Sequence, residues 1–304
     1  MTATFKDFAK LHFIVFLWGF TAIIGKELSI SVADVVMYRT GLAAIVLGVF
    51  MYLRKDPLKF PPKVLLKFAI TGLVIAAHWF LFFESARVSN VSVCLAGMAT
   101  TTFWTSLIEP VFTKRRVNMI EVLLGLVVIS GLYVIFSFEF DNVLGLTLAI
   151  ISAMLSATFS VLNAGLAKQH SEYGITFYEM LAACLAAIIF IPIYNVFFLQ
   201  ESASYAVPNI DDWGFLILLS VVCTVYAFSV SVELMKRISA FAVNLAINME
   251  PVYGILMALL IYGESEQMSN GFYYGTLIIM AAVFSYPLIR RIQRRREARK
   301  ILAQ

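Results

Sequence analysis

The chain reads as an all-α membrane protein of ten transmembrane helices, arranged as two inverted five-helix repeats. Three observations carry that expectation. Ten apolar stretches of spanning length follow one another, the Lys and Arg residues fall in every second gap between them, and the second half of the chain repeats the first. Composition agrees: 304 residues with 61% hydrophobic content, 14% charged residues and a mean hydropathy of +0.87 leave too little polar surface for a water-soluble globule.

The stretches lie near 11–28, 33–53, 64–86, 90–113, 117–138, 143–167, 174–199, 213–235, 240–262 and 271–291, divided at charged or turn-rich breaks. Each is long enough to cross about 30 Å of hydrocarbon at 1.5 Å per residue. The first lacks a small-residue cleavage site before Lys26-Glu27, which favours a retained helix over a signal peptide. Cys94, Cys184 and Cys223 fall singly inside spans, with neither a disulfide framework nor a metal motif.

The charge alternation orients the chain. Basic residues begin with Lys6 and Lys10, then Arg54, Lys55, Lys59, Lys63 and Lys67, then Lys114, Arg115 and Arg116. Lys168, Lys236 and Arg237 follow, and the tail adds Arg290, Arg291, Arg294, Arg295, Arg296, Arg299 and Lys300. Only Lys26, Arg39 and Arg87 of the 23 depart from this side. The intervening gaps carry Glu139 and Asp141, then Glu201, Asp211 and Asp212, then Glu264 and Glu266. Because cytoplasmic loops hold the excess of Lys and Arg, Met1 and Gln304 are both expected in the cytoplasm. The same rule accounts for the net charge of +4 without nucleic acid, and the tail can lie on anionic lipid.

Displacing the chain by 150 positions aligns Arg87-Val88-Ser89 with Arg237-Ile238-Ser239, Val93 with Val243, Leu95-Ala96 with Leu245-Ala246, and Gly125 with Gly275. A displacement of 140 aligns Tyr38, Ala43 and Phe50 with Tyr178, Ala183 and Phe190. Five spans per half is an odd number, so the halves enter the membrane from opposite faces. Inverted repeats of this kind recur in secondary transporters, with the substrate site near the midplane between them.

Trp18-Gly19 followed by Lys26, Arg39, the run Ser85-Ala86-Arg87-Val88-Ser89-Asn90, Arg237-Ile238-Ser239-Ala240, Glu250-Pro251, and Gly263-Glu264 leading to Gly275 together resemble the drug/metabolite transporter superfamily, and within it the EamA-like ten-helix carriers. The resemblance spans the chain. It implies one five-helix repeat over 1–140, a second over 141–292, and a basic tail over 293–304. It also implies export or exchange of small metabolites, amino acids or amphipathic compounds at a bacterial inner membrane. Where the second half has Pro251 and Glu264 the first has Thr101 and Lys114, so no binding residue transfers between halves by symmetry.

Within the spans, Glu250 leads as a substrate-contact or proton-coupling residue. It sits midway along the ninth stretch, where a charge costs about 2.5–3.5 kcal/mol on insertion scales, and Pro251 behind it frees a backbone carbonyl and favours a kink. The alternative is a structural carboxyl hydrogen-bonded to a neighbouring helix. Asn244 and Asn248 share a face, as cavity lining or as interhelical hydrogen-bond partners. Lys26 and Arg39 near the outer ends of their spans can attract a carboxylate or snorkel to the interface. His78 can relay protons or bond a neighbour, and Tyr226 and Tyr253 carry phenols that need partners if buried. Glu109, with Thr102, Thr105 and Ser106, forms a polar stripe on the fourth span, and Glu179 and Glu233 stand near the cytoplasmic ends of theirs as gate or interfacial residues, with Pro251 at the break. Glu84 and Arg87 are spaced for a local ion pair. Ser152, Ser156, Ser160 and Asn163 form a small-residue ridge suited to a helix–helix contact.

The expected function is therefore secondary transport of a small organic metabolite by alternating access, with proton coupling open. No P-loop, H-E-x-x-H motif or G-x-S-x-G elbow is present, so an intramembrane enzyme ranks as the alternative, together with a non-transporting sensor or lipid-flipping partner. No cofactor or metal is expected. The expected partners are a small-molecule substrate and membrane lipids, not nucleic acid, with monomer and homodimer both open.

Overall fold

A computed structural model describes residues 3–114, 119–138, 140–199, 205–266 and 268–302. Arg115, Arg116, Glu139, Glu201, Met1 and Gln304 lie outside these residues, as do the side chains of Pro251, Glu266 and the basic tail from Arg290 except Ile292. The described residues form helices joined by short loops, with no strand among them, in the order α1 (Phe5–Gly19), α2 (Thr21–Glu27), α3 (Val32–Arg54), α4 (Pro62–Val88), α5 (Val91–Met98), α6 (Thr101–Thr113) and α7 (Met119–Phe138). After a short 3₁₀ turn come α8 (Val143–Leu166), α9 (Glu172–Tyr194), α10 (Ile210–Ile217), a nine-residue π-helical stretch (Leu218–Tyr226), α11 (Ala227–Leu234), α12 (Ala240–Ile247), α13 (Glu250–Tyr262) and α14 (Asn270–Leu302).

Among the described residues, eight helical segments are long and apolar enough to cross a membrane: 5–27, 32–54, 62–88, 91–113, 143–166, 172–197, 210–234 and 240–262. A ninth apolar stretch, Leu123–Ile135 in α7, is shorter. The count of ten is thus reached only in part among the described residues. The span expected near 271–291 lies in α14, which runs on into the basic tail and several of whose side chains are outside the described set. This is a multi-pass membrane protein.

Helix starts are written in the sequence. Thr4 and Asp7 form a capping box at α1, and Asn209 and Asp212 form another at α10. Ser31, Asn90 and Ser239 cap α3, α5 and α12 with side-chain oxygens that accept from backbone N–H groups. Close crossings fall at glycines. A Cβ on Gly254 would stand 2.9 Å from the Gly19 carbonyl oxygen, and one on Gly275 would stand 2.6 Å from that of Gly131. Helices α13 and α1, and helices α14 and α7, therefore meet backbone to backbone.

Two spans are interrupted at midlength, between α5 and α6 at Ala99–Thr100, and between α12 and α13 at Asn248–Met249. All four residues keep right-handed backbone angles, and each break is a tightened turn in which Thr100 N bonds Gly97 O and Met249 N bonds Ala246 O. The second break falls in the turn before Pro251, where the missing N–H of that proline leaves the Ile247 carbonyl without its helical partner. Pro251 is the second residue of α13, and the first break forms with no proline beside it.

Candidate functional site

Helices α1–α5, α8 and α11–α13 surround a central cavity of about 60 Å³. Trp18, Arg39, His78, Trp79, Phe82, Ser156, Ser160, Asn163 and Glu250 are among its lining residues. Its guanidinium and its carboxyl group come from opposite halves of the chain. Arg39 is 2% exposed, with its guanidinium carbon 3.9 Å from the centroid of the Trp79 ring, a cation–π placement, and 5.7 Å from that of Phe83. Its Nε donates to Thr224 Oγ1 at 2.9 Å. Thr224 in turn donates to the Leu219 carbonyl five residues back at 2.8 Å, so the π-helical register is what turns this hydroxyl toward Arg39.

Glu250 is 6% exposed and is the first residue of α13, where a carboxylate complements the positive end of the helix dipole. Arg39 and Glu250 lie within electrostatic reach of each other, yet among the described residues no ion pair within 4.0 Å joins them. The cavity thus presents a guanidinium and a carboxyl group separately.

The remaining candidates sort by position. His78 lines the cavity with its Nδ1 2.8 Å from Ser152 Oγ, and Ser152 Oγ donates to the His78 carbonyl at 2.9 Å. Asn244 accepts from Ser160 Oγ at 3.1 Å and donates to Thr105 Oγ1 at 2.7 Å, and Asn248 donates to Thr102 Oγ1. These two asparagines bind the ninth span to the fourth and sixth. Tyr253 lies against Phe16 and packs over Gly19. Tyr226 is 44% exposed and contacts Phe13 edge-on. Lys26 is outside the cavity, its Nζ 4.5 Å from the Tyr262 ring centroid. The ridge on α8 does more than pack: Ser152 holds His78, while Ser156, Ser160 and Asn163 line the cavity.

Below the cavity, at the end of the bundle that carries Lys67, Lys168 and Lys236, a vestibule of about 700 Å³ opens between α4, α6, α8 and the α11–α12 turn. Glu109 lines it. Met235 borders both spaces. Glu179 is fully buried on α9, where its Oε2 accepts from Asn163 Nδ2 at 3.3 Å.

Both ends of the first span are held by arginines. At the basic end Arg237 donates to Asp7 Oδ1 at 2.8 Å and to Glu233 Oε1 at 3.0 Å, beside an ion pair of Lys236 with Glu172. At the opposite end Arg87 donates to the carbonyls of Gly25 (3.0 Å), Leu28 (2.9 Å) and Ile30 (2.7 Å). Ser29 there bonds Asp212 through both its N–H and its hydroxyl, at 2.8 and 2.7 Å. The ion pair of Glu84 with Arg87 that their spacing allows is not made. Three backbone carbonyls left by the end of α2 take the guanidinium, and Glu84 accepts instead from the Tyr194 hydroxyl at 3.2 Å. Sequence reasoning missed Asp7, Thr224 and the Arg87 cradle. For Asp7 a signal existed, since Thr4 precedes it at capping-box spacing.

Among the described residues no cluster of three or more His, Cys, Asp or Glu is placed to hold a metal. The family model described as the EamA-like transporter family matches residues 11–137 and 143–286. No curated protein matches the chain. A solved structure titled only as a crystal structure of a protein aligns with a TM-score of 0.67 at 16% identity, covering 93% of this chain and 98% of its own, and so shares the fold.

Proposed function

Since the chain belongs to the EamA-like transporter family, we propose that it is a secondary carrier of small zwitterionic metabolites, the amino acids being the simplest, and that it alternates access to the Arg39–Glu250 cavity across a bacterial inner membrane. The observation that carries this reading is the unpaired placement of a buried guanidinium and a buried carboxyl group on one small cavity. A buried charge without a partner is costly, and a ligand bearing both signs supplies each with one. Arg39 would take the carboxylate, its planar donor fork fixed by Trp79 and Thr224, and Glu250 would take the ammonium. The aromatic walls of Trp18, Phe82 and Phe159 suit an apolar side chain.

Alternating access is supported by the asymmetry of the two ends. A cavity of about 60 Å³ is far below the roughly 300–1,000 Å³ of a ligand pocket, so binding requires opening. The wide vestibule lies at the basic end, while the Arg87 and Asp212 contacts tie the helices together at the other. With both termini in the cytoplasm, ten spans and inverted halves, this conformation faces inward.

The test is flux in proteoliposomes preloaded with single amino acids and given the labelled compound outside. Exchange of at least one neutral amino acid is expected, with loss in Arg39→Ala and in Glu250→Ala. Movement of simple carboxylates or simple amines alone, or wild-type exchange in Glu250→Ala, would remove the zwitterion assignment.

A further inference from the structure

Asn163 faces the cavity, and directly behind it lies Glu179, which no solvent reaches. The pair is incompletely bonded in an informative way. Asn163 Nδ2 donates to one carboxyl oxygen at 3.3 Å, while the other oxygen, Glu179 Oε1, and the amide oxygen, Asn163 Oδ1, are both buried without a partner. Both orphans are acceptors. An ionised carboxylate would leave them facing a low-dielectric interior with one long hydrogen bond to support a full charge.

The helices packed on α9 bring no counter-charge into contact. Arg39 of α3 is committed to Trp79 and Thr224, His78 of α4 to Ser152, and Glu233 of α11 to Arg237, Lys67 of α4 lines the vestibule, and α8 carries no charged residue. None of them bonds Glu179.

We propose that Glu179 and Asn163 form a proton-binding site, in which a proton on the Glu179 carboxyl is shared with the Asn163 amide. The only bond made is O–H on the carboxyl. It converts an acceptor-only group into a donor, beside an amide oxygen that lacks one, and neutralises the charge. A metal ion would need a cage of oxygens and room to sit, whereas a proton needs neither. The site is one side chain removed from the cavity and lies toward the vestibule, so opening of the basic end can hydrate and deprotonate it. That gives the carrier a coupling proton distinct from its substrate charges. The coupling role rests on the transport reading above; the occupancy by a proton does not.

Infrared difference spectroscopy of the purified protein in lipid nanodiscs, titrated in H₂O and D₂O, reads the occupancy directly. At neutral pH one protonated-carboxyl carbonyl band should be present in wild type and retained in Glu250→Gln, deuterium-shifted in both, and that one band should be missing in Glu179→Gln. Glu179→Gln copies the neutral acid, so it should elute and melt as wild type. A band set unchanged in Glu179→Gln would overturn the proposal, as would ²²Na⁺ binding by wild type that Glu179→Gln abolishes. In proteoliposomes Glu179→Gln should lose accumulation driven by a pH gradient while keeping exchange. If wild type moves no amino acid at all, the transport reading falls while the infrared assignment stands or falls by itself.

Discussion

Arg39 is oriented by two groups of different kind, an indole face and a hydroxyl, and the hydroxyl is the one that can be removed without disturbing volume. Thr224→Val deletes a hydrogen bond to a charged donor, worth about 1.5–3 kcal/mol. If the chain is the proposed amino-acid carrier and the guanidinium must meet a carboxylate squarely, the apparent affinity for that substrate should weaken roughly tenfold or more, since 1.4 kcal/mol is tenfold. Maximal exchange and expression should be retained, and equal KM values for wild type and Thr224→Val would show that Trp79 alone suffices. Arg39→Lys should be weaker still, because an ammonium keeps the charge and loses the fork. At this scale the sequence was informative about charge and silent about register. Arg39 and Glu250 stand out because a charge in an apolar run demands a reason. Thr224 does not, because a π-helical turn leaves no mark in composition. Nor could Arg87 be read: its partners are backbone carbonyls, which every residue has.

At the scale of helices, the crossings of α1 with α13 and of α7 with α14 depend on glycines in a way that predicts opposite outcomes for similar substitutions. Gly254→Val places atoms 2.2 Å from Leu95 Cδ1 and 2.9 Å from the Gly19 carbonyl oxygen. The second contact is backbone and cannot rotate away. A loss of about 1–3 kcal/mol follows from overpacking, measurable as a lowered midpoint of thermal unfolding in detergent. Gly214 in α10 has nothing within 4 Å of an added Cβ. Gly214→Ala should leave stability unchanged or raise it by up to about 1 kcal/mol, because alanine has less backbone freedom to lose in a helix. A fall in both variants would mean that helix packing is not what separates them. Span positions were legible from hydropathy, and caps from Thr4, Ser31, Asn90, Asn209 and Ser239. The kink before Pro251 was legible from the proline, whereas the matching break at Ala99–Thr100 was not, because no proline marks it there.

For the whole molecule, the repeat supplies a reciprocal arrangement: the aligned residues Arg87 and Arg237 grip the two ends of the same first span. In an alternating carrier each would be a latch for one face, and the conformational balance would follow from which latch is weakened. Arg87→Gln removes the charge-assisted bonds to Gly25, Leu28 and Ile30 and should shift the population toward the state open at that end. Arg237→Gln releases Asp7 and Glu233 and should shift it the other way. A difference of 1.4 kcal/mol in either latch changes the ratio of states about tenfold. The readout is a cysteine placed in the cavity, Ser156→Cys, in a background where Cys94, Cys184 and Cys223 are replaced, labelled by a membrane-impermeant thiol reagent applied to sealed vesicles of known orientation. Arg87→Gln should speed labelling from the face away from the termini, and Arg237→Gln from the face that carries them. A reporter fluorescent only in the cytoplasm, fused after Gln304, fixes which face that is and should be bright. If both variants speed labelling from the same face, the two arginines are structural ties and not latches, and a dark, correctly inserted fusion would exclude an even number of spans with cytoplasmic ends. The opposite signs are the stringent part of the prediction: general loosening of the fold raises both rates, and only reciprocal closure of the two ends raises one for each.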